Sequence, residues 1–148
     1  MTKNIKKVAV IGAGAMGSGI AAQAANAGYE VVLLDLYPDS PQKAIDKMLK
    51  AKPGPDAGFM DAKNAKRITT GGTEHDMEKI ADADLIIEAV FEDLDVKQTT
   101  FKNIYKHAKA DAIIASNTST IQIEQLTDGM PDDFKARFMN THFFNPPR

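Results

Sequence analysis

Three glycines and one acid near the start of the chain carry the first chemical signal. Gly12, Gly14 and Gly17 stand in the spacing Gly-x-Gly-x-x-Gly directly after the apolar run 8–11, and Asp35 closes a second apolar run, 31–34. Gly12 permits a tight turn out of a strand. Gly14 has no side chain, so a pyrophosphate can approach the backbone, and Gly17 lets the following helix lie close to the sheet. The helix start at Ala15 and Met16 then offers free N–H groups and a positive dipole to phosphates. Asp35 lies at the expected distance of about 20 residues, where a carboxylate accepts hydrogen bonds from the adenosine ribose. Its charge repels a 2′-phosphate, so the pattern points to NAD over NADP.

Further along, three stretches place polar groups after apolar runs. Glu92 and Lys97 follow the run 85–90. Glu92 either bonds a ribose hydroxyl, with Lys97 paired to it or near a phosphate, or the local acids simply favour a helix start through its dipole. Glu88, inside the run, needs a partner if it faces inward, and no role follows for it from the sequence. Asn117 and Ser119 lie in the polar run 115–120. Such side chains orient a ligand carbonyl or a nicotinamide amide, or else cap the next helix. His142 follows the last apolar run. An imidazole that titrates near neutrality can take a proton from an alcohol as hydride leaves its carbon, though a lone histidine is more often structural. His75 and His107 get the structural reading. The scattered histidines have no ligand spacing, so no metal site is expected.

These groups need a frame, and the periodicity supplies one. Strands are expected at 8–11, 30–34, 67–70, 85–90, 112–115 and 137–142. Helices are expected at 16–27, 41–51, 76–81, 96–108 and 121–126. A Gly71-Gly72 turn follows the third strand, and 53–66 reads as loop with a fragment of helix. Strands alternating with helices predict an α/β fold with a doubly wound, mostly parallel sheet covered on both faces. Ligands of such sheets bind beyond the carboxyl ends of the strands. Gly12, Asp35, Glu92, Asn117 and His142 all fall at or just after predicted strand ends, so one rim should collect them.

The 148 residues are one domain's worth, here taken as a single dinucleotide-binding domain over 1–148. A formal charge of −2 gives no electrostatic reason to expect nucleic acid or a membrane surface. No cysteine is present, which excludes disulfides, a thiol nucleophile and thiolate metal sites. The longest apolar runs are too short for a membrane span. The basic N-terminus runs straight into the first strand without a secretory pattern, so a cytoplasmic protein is expected.

Taken together, Gly12-x-Gly14-x-x-Gly17, Asp35, IIEAVFEDLDVK (86–97), ASNTS (115–119) and HFFNP (142–146) resemble, in that order, the N-terminal Rossmann NAD-binding domain of the L-3-hydroxyacyl-CoA dehydrogenases of fatty-acid β-oxidation. The HFFNPPR ending looks most like the long bacterial β-oxidation proteins. The resemblance implies that His142 is the general base for the 3-hydroxyl and that Ser119 bonds the substrate oxygen beside the nicotinamide. It implies that Asn117 and Asn145 hold the active-site arrangement, Asn145 also approaching the cofactor, and that Glu92, Lys97 and Asp35 bind NAD. The partner is an acyl-CoA substrate. In the family a helix after the second strand helps bind CoA, and Lys43, Lys47 and Lys50 share one face of the matching helix. They could meet CoA phosphates, but a solvated lysine face is the favoured reading. The family's glutamate that pairs with the histidine, and its helical C-terminal domain, which closes the cleft and forms the dimer, match nothing in these residues. An isolated domain that binds NAD and turns over weakly is therefore expected. Two other readings stay open: an NAD-binding redox sensor without chemistry, and a dehydrogenase of a non-CoA hydroxy acid.

Overall fold

The structure is a computed structural model that describes residues 2–54 and 57–147. Pro55 and Asp56 of the expected break after the second helix, and Arg148 of the HFFNPPR ending, lie outside the described residues.

Six parallel strands form one sheet. In chain order the elements are β1 (Lys7–Ile11), α1 (Ala15–Asn26), β2 (Glu30–Asp35), α2 (Ser40–Lys50), β3 (Ile68–Gly72), β4 (Leu85–Glu88), α3 (Leu94–His107), β5 (Ile113–Ser116), α4 (Ile123–Leu126), α5 (Asp132–Lys135) and β6 (Phe138–Asn140). Short 3-10 turns at Ala62–Arg67 and Met77–Ile80 precede β3 and β4. The strand order is β3-β2-β1-β4-β5-β6, and every pairing is parallel. The chain therefore starts mid-sheet, winds outward one way, then crosses over and winds out the other. That order is the doubly wound fold expected from the alternating pattern, with its switch point between β1 and β4.

Strand alternation builds a core on each face. Ala9, Ile11, Val32, Leu34, Ile86 and Ile114 point to one side, where Phe101 and Ile104 of α3, Leu126 of α4 and Phe134 of α5 cover them. Val8, Val10, Val31, Leu33, Ile87 and Ala115 point to the other, against Ile20, Ala21 and Ala25 of α1 and Ile45 of α2. Small residues along α1 let it approach the sheet. The loop after α2 is tied to the end of α1: the Asn26 side chain donates to the Gly58 carbonyl at 2.8 Å and accepts from the Met60 N–H at 3.0 Å.

Several boundaries differ from the sequence expectation. Gly71 and Gly72 belong to β3 instead of turning, because Gly72 N–H is held by the Asp76 carboxylate at 2.8 Å while both glycines pair with β2. β4 ends at Glu88, not residue 90, because the Glu88 side chain captures the Val90 N–H at 2.8 Å and bends the chain out of the sheet. β6 ends at Asn140, so His142 stands two residues past its strand. The four-residue α5, opened by Pro131, was not expected at all.

Candidate functional site

The turn after β1 is built around two contacts that admit no side chain. Gly12 has φ +109°, and a Cβ there would meet the Ala89 carbonyl oxygen at 2.4 Å. A Cβ on Gly17 would meet the Gly12 carbonyl oxygen at 1.8 Å. Gly14 is the opposite case: it is exposed, and a Cβ would have no atom within 4 Å. It stands at the N-terminus of α1, whose first turn has neither an acidic residue nor a side-chain cap. The helix end thus offers backbone N–H groups and dipole to open space, the arrangement a diphosphate fits. Asp35 is drawn to the same turn. Its carboxylate accepts from the Ala13 N–H at 2.7 Å and the Tyr37 N–H at 2.9 Å. A carboxylate has about four acceptor positions, so capacity remains for a diol.

From Gly12, Gly14 and Asp35 a cleft of about 1110 Å³ runs outward to Val96, Thr99 and Asn103. Leu36, Tyr37 and Phe91 stand exposed on its walls, 68%, 70% and 83% open to solvent. Apolar walls beyond a carboxylate with spare acceptor capacity suit a planar base.

A second cleft of about 420 Å³ shares Ala89 and Val90 with the first and is lined by Met16, Glu92, Asn117, Ser119, His142, Phe143 and Asn145. Asn117 stands just past β5 and its side-chain oxygen accepts the Phe143 N–H at 2.8 Å, while the Thr141 N–H donates to the Ser116 carbonyl at 2.9 Å. These two bonds hold residues 141–143 along the end of β5 after β6 has stopped. Pro147 then packs on α1, so closely that a Cβ at Gly19 would lie 2.6 Å from its ring. His142 is exposed and meets Phe144 edge-on, with ring centroids 5.7 Å apart. The polar run does not cap the next helix, since α4 starts at Ile123 with Gln122 at its N-cap and no side-chain cap; Thr118 instead closes a turn, its hydroxyl accepting the Ile121 N–H at 3.1 Å and donating to the Glu92 carboxylate.

The rim expected from the strand ends therefore exists as two joined clefts. Gly12, Gly14 and Asp35 line one, and Met16, Glu92, Asn117, Ser119, His142 and Asn145 line the other. Ala15 opens the helix between them. Lys97 stands apart. Its side chain is 1% exposed and its Nζ is bonded to Glu88 at 2.6 Å and to the Val90 carbonyl at 3.3 Å, so it pairs with Glu88 and not with Glu92. Glu88, for which the sequence suggested no role, is the residue sequence reading missed. Lys43, Lys47 and Lys50 are exposed along α2 and, with Asp46 and Ala51, border a separate depression of about 520 Å³.

Residues 7–148 match the family described as the NAD-binding domain of 3-hydroxyacyl-CoA dehydrogenase. The chain belongs to this family. Among relatives of this NAD-binding domain, a probable 3-hydroxyacyl-CoA dehydrogenase of Deinococcus radiodurans is 46% identical over 151 residues, covering 97% of the chain and 43% of the relative. A probable 3-hydroxyacyl-CoA dehydrogenase of Bacillus subtilis is 44% identical over 169 residues, covering 100% of the chain and 21% of the relative. The crystal structure of 3-hydroxybutyryl-CoA dehydrogenase from Escherichia coli superposes with a TM-score of 0.80 at 30% identity, over 98% of this chain and 31% of that one. The chain thus spans between a fifth and a half of the curated relatives it matches. As a member of this NAD-binding family it takes NAD as its cofactor. The open Gly14, the uncapped start of α1 and the Asp35 carboxylate with its spare acceptor capacity fit that dinucleotide.

Proposed function

We propose that the chain is the cofactor-binding domain, residues 1–148, of a cytoplasmic dehydrogenase that oxidises L-3-hydroxyacyl-CoA to 3-ketoacyl-CoA in fatty-acid oxidation. The observation that carries this reading is the joined pair of clefts, with Ala89 and Val90 as common floor. A dinucleotide entering at Gly14 and Asp35 reaches Asn117, Ser119, His142 and Asn145 at its other end. NAD, when bound, supplies the hydride acceptor. His142 accepts the proton of the 3-hydroxyl at an exposed ring nitrogen, and Ser119 donates a hydrogen bond to the same substrate oxygen. Asn117 acts from behind, fixing the backbone that carries His142 through its bond to Phe143. Glu92 and Asn145, which line the same cleft, would hold the cofactor's far end, Glu92 at a ribose hydroxyl. The redox-sensor reading gives no use for a base beside that end of the cleft. Among the described residues no helix is long and apolar enough to cross a membrane.

The test is NADH formation from L-3-hydroxybutyryl-CoA, with the D-isomer and a free hydroxy acid as comparators. It is run on these 148 residues and on the chain extended by any open frame that follows. NADH should form from the L-thioester alone, and His142→Ala should abolish turnover while leaving NADH binding intact. Equal rates with the free hydroxy acid would discard the CoA substrate, and turnover unchanged in His142→Ala would remove His142 as the base.

A further inference from the structure

Among the described residues the most deeply buried charges line neither cleft but lie next to Val90, which borders both. Glu88 and Lys97 have side-chain exposures of 0% and 1%. Both carboxylate oxygens of Glu88 are engaged. Oε1 takes the Val90 N–H at 2.8 Å and the Lys97 Nζ at 2.6 Å, and Oε2 takes the Ser116 hydroxyl at 2.6 Å. Ser116 Oγ in turn accepts the Thr118 N–H at 3.3 Å. The backbone repeats the connection, with Asn117 N–H on the Glu88 carbonyl at 2.8 Å. Lys97 closes the circuit on the Val90 carbonyl. The partners are not arbitrary. Val90 is floor to both clefts, Thr118 holds Glu92, and Asn117 holds Phe143 beside His142.

Buried ion pairs are poor devices for stability, because desolvating both charges consumes most of what their attraction returns. An apolar pair would fill the same space. What an ion pair adds is direction, since each donor must sit where a lone pair lies. We propose that Glu88 is a positioning residue. Held by Lys97, its carboxylate fixes the ends of β4 and β5 in the one arrangement that shapes the nicotinamide side of the cleft. Lys97 acts through Glu88 and not on a cofactor phosphate. This rests on the reading above that the smaller cleft receives the nicotinamide.

Two ligands separate the possibilities. NADH and ADP-ribose share the adenosine and diphosphate, and only NADH carries the nicotinamide. Ser116→Ala removes the hydroxyl link while leaving the ion pair. Glu88→Gln with Lys97→Met removes both charges together, so no unpaired charge is left in the core. In calorimetric titrations both proteins should lose affinity for NADH about tenfold, the loss of roughly one well-made hydrogen bond, while ADP-ribose changes by less than about twofold. In the ligand-free protein the amide resonances of Val90, Thr118 and Phe143 should move in both variants. Parallel losses for the two ligands, tracking the fall in Tm, would show a merely structural pair and overturn the proposal. So would losses for both ligands in the double variant with none in Ser116→Ala, since Lys97 would then be serving the diphosphate. Equal affinity of the unaltered protein for NADH and ADP-ribose would instead unseat the nicotinamide assignment. The amide shifts would then still decide the relay: stationary resonances at Thr118 and Phe143 refute it.

Discussion

Replacing Gly14 and Gly17 in turn separates what the glycine turn does for the cofactor from what it does for the fold. A Cβ at Gly17 would stand 1.8 Å from the Gly12 carbonyl oxygen and 2.8 Å from its carbon. Both atoms are backbone, so no flexible side chain can give way. Overpacking costs about 1–3 kcal/mol, and rigid neighbours put Gly17→Ala at the upper end. Helix propensity returns up to about 1 kcal/mol. The net loss of about 2 kcal/mol lowers Tm by roughly 4–8 °C for a chain of this size. At Gly14 the balance reverses. Its φ of −68° and ψ of −174° suit any residue, and no atom lies within 4 Å of the added Cβ. Gly14→Val therefore enters solvent and moves stability by no more than about 0.5 kcal/mol. The same side chain covers the start of α1, where the diphosphate must come. Losing those N–H contacts should weaken NADH at least about a hundredfold, equivalent to about 2.8 kcal/mol. Scanning calorimetry of the ligand-free proteins and titration with NADH read the two effects separately. The reasoning is refuted if Gly14→Val melts as early as Gly17→Ala, or if it binds NADH like the unaltered protein.

Asp35→Ala should erode the preference for NADH over NADPH by more than about tenfold, because it removes a like-charge repulsion worth several kcal/mol; an unchanged ratio in paired titrations would clear Asp35 of that role. Asp84 should matter at the acid end. It accepts from Lys109 Nζ at 2.5 Å and from the Lys6 and Lys7 N–H groups at 2.8 and 3.1 Å, and the Lys109 ammonium, then these N–H groups, hold its carboxyl far below the usual carboxylate range. A depressed folded value means the stabilisation is complete above the unfolded aspartate value near ~3.9 and is lost as pH falls from there toward the folded value. The Tm gap between the unaltered protein and Asp84→Asn should therefore be constant at neutral pH and shrink below about pH 4, and a gap independent of pH would contradict it. Gly19→Ala pits a helix gain of up to about 1 kcal/mol against the Pro147 contact, so overall stability should barely move. The Phe143 amide should nevertheless exchange faster with solvent, as the segment carrying His142 loosens; unchanged exchange would show that Pro147 does not anchor it.

What the sequence made legible is what local pattern dictates. The glycine spacing, the apolar run before it and the acid after it all lie within 30 residues, and each has a steric or electrostatic reason visible in a single stretch of chain. The same holds for the alternation of strand and helix, which implies a parallel sheet covered on both sides. Boundaries failed where a side chain from elsewhere intervened. Asp76 keeps Gly72 in a strand that composition would end, and Glu88 cuts β4 short by taking the Val90 N–H. Lys97 shows the limit most clearly. The acids Glu88, Glu92, Asp93 and Asp95 all precede it, and by sequence alone it pairs with Glu92 or lies near a phosphate. The choice between them is made by Ser116, 28 residues downstream, whose hydroxyl meets Glu88 because β4 and β5 pair in the register Glu88↔Ser116. With Glu88 turned into the sheet, it is the acid that a buried ammonium can reach, while Glu92 is drawn aside by Thr118. Partner choice inside the core is a property of strand register, and register is settled by the whole sheet at once. A residue's type and neighbours therefore marked Lys97 as a cation in want of an anion, acid or phosphate, and only the assembled sheet could reveal that it is Glu88.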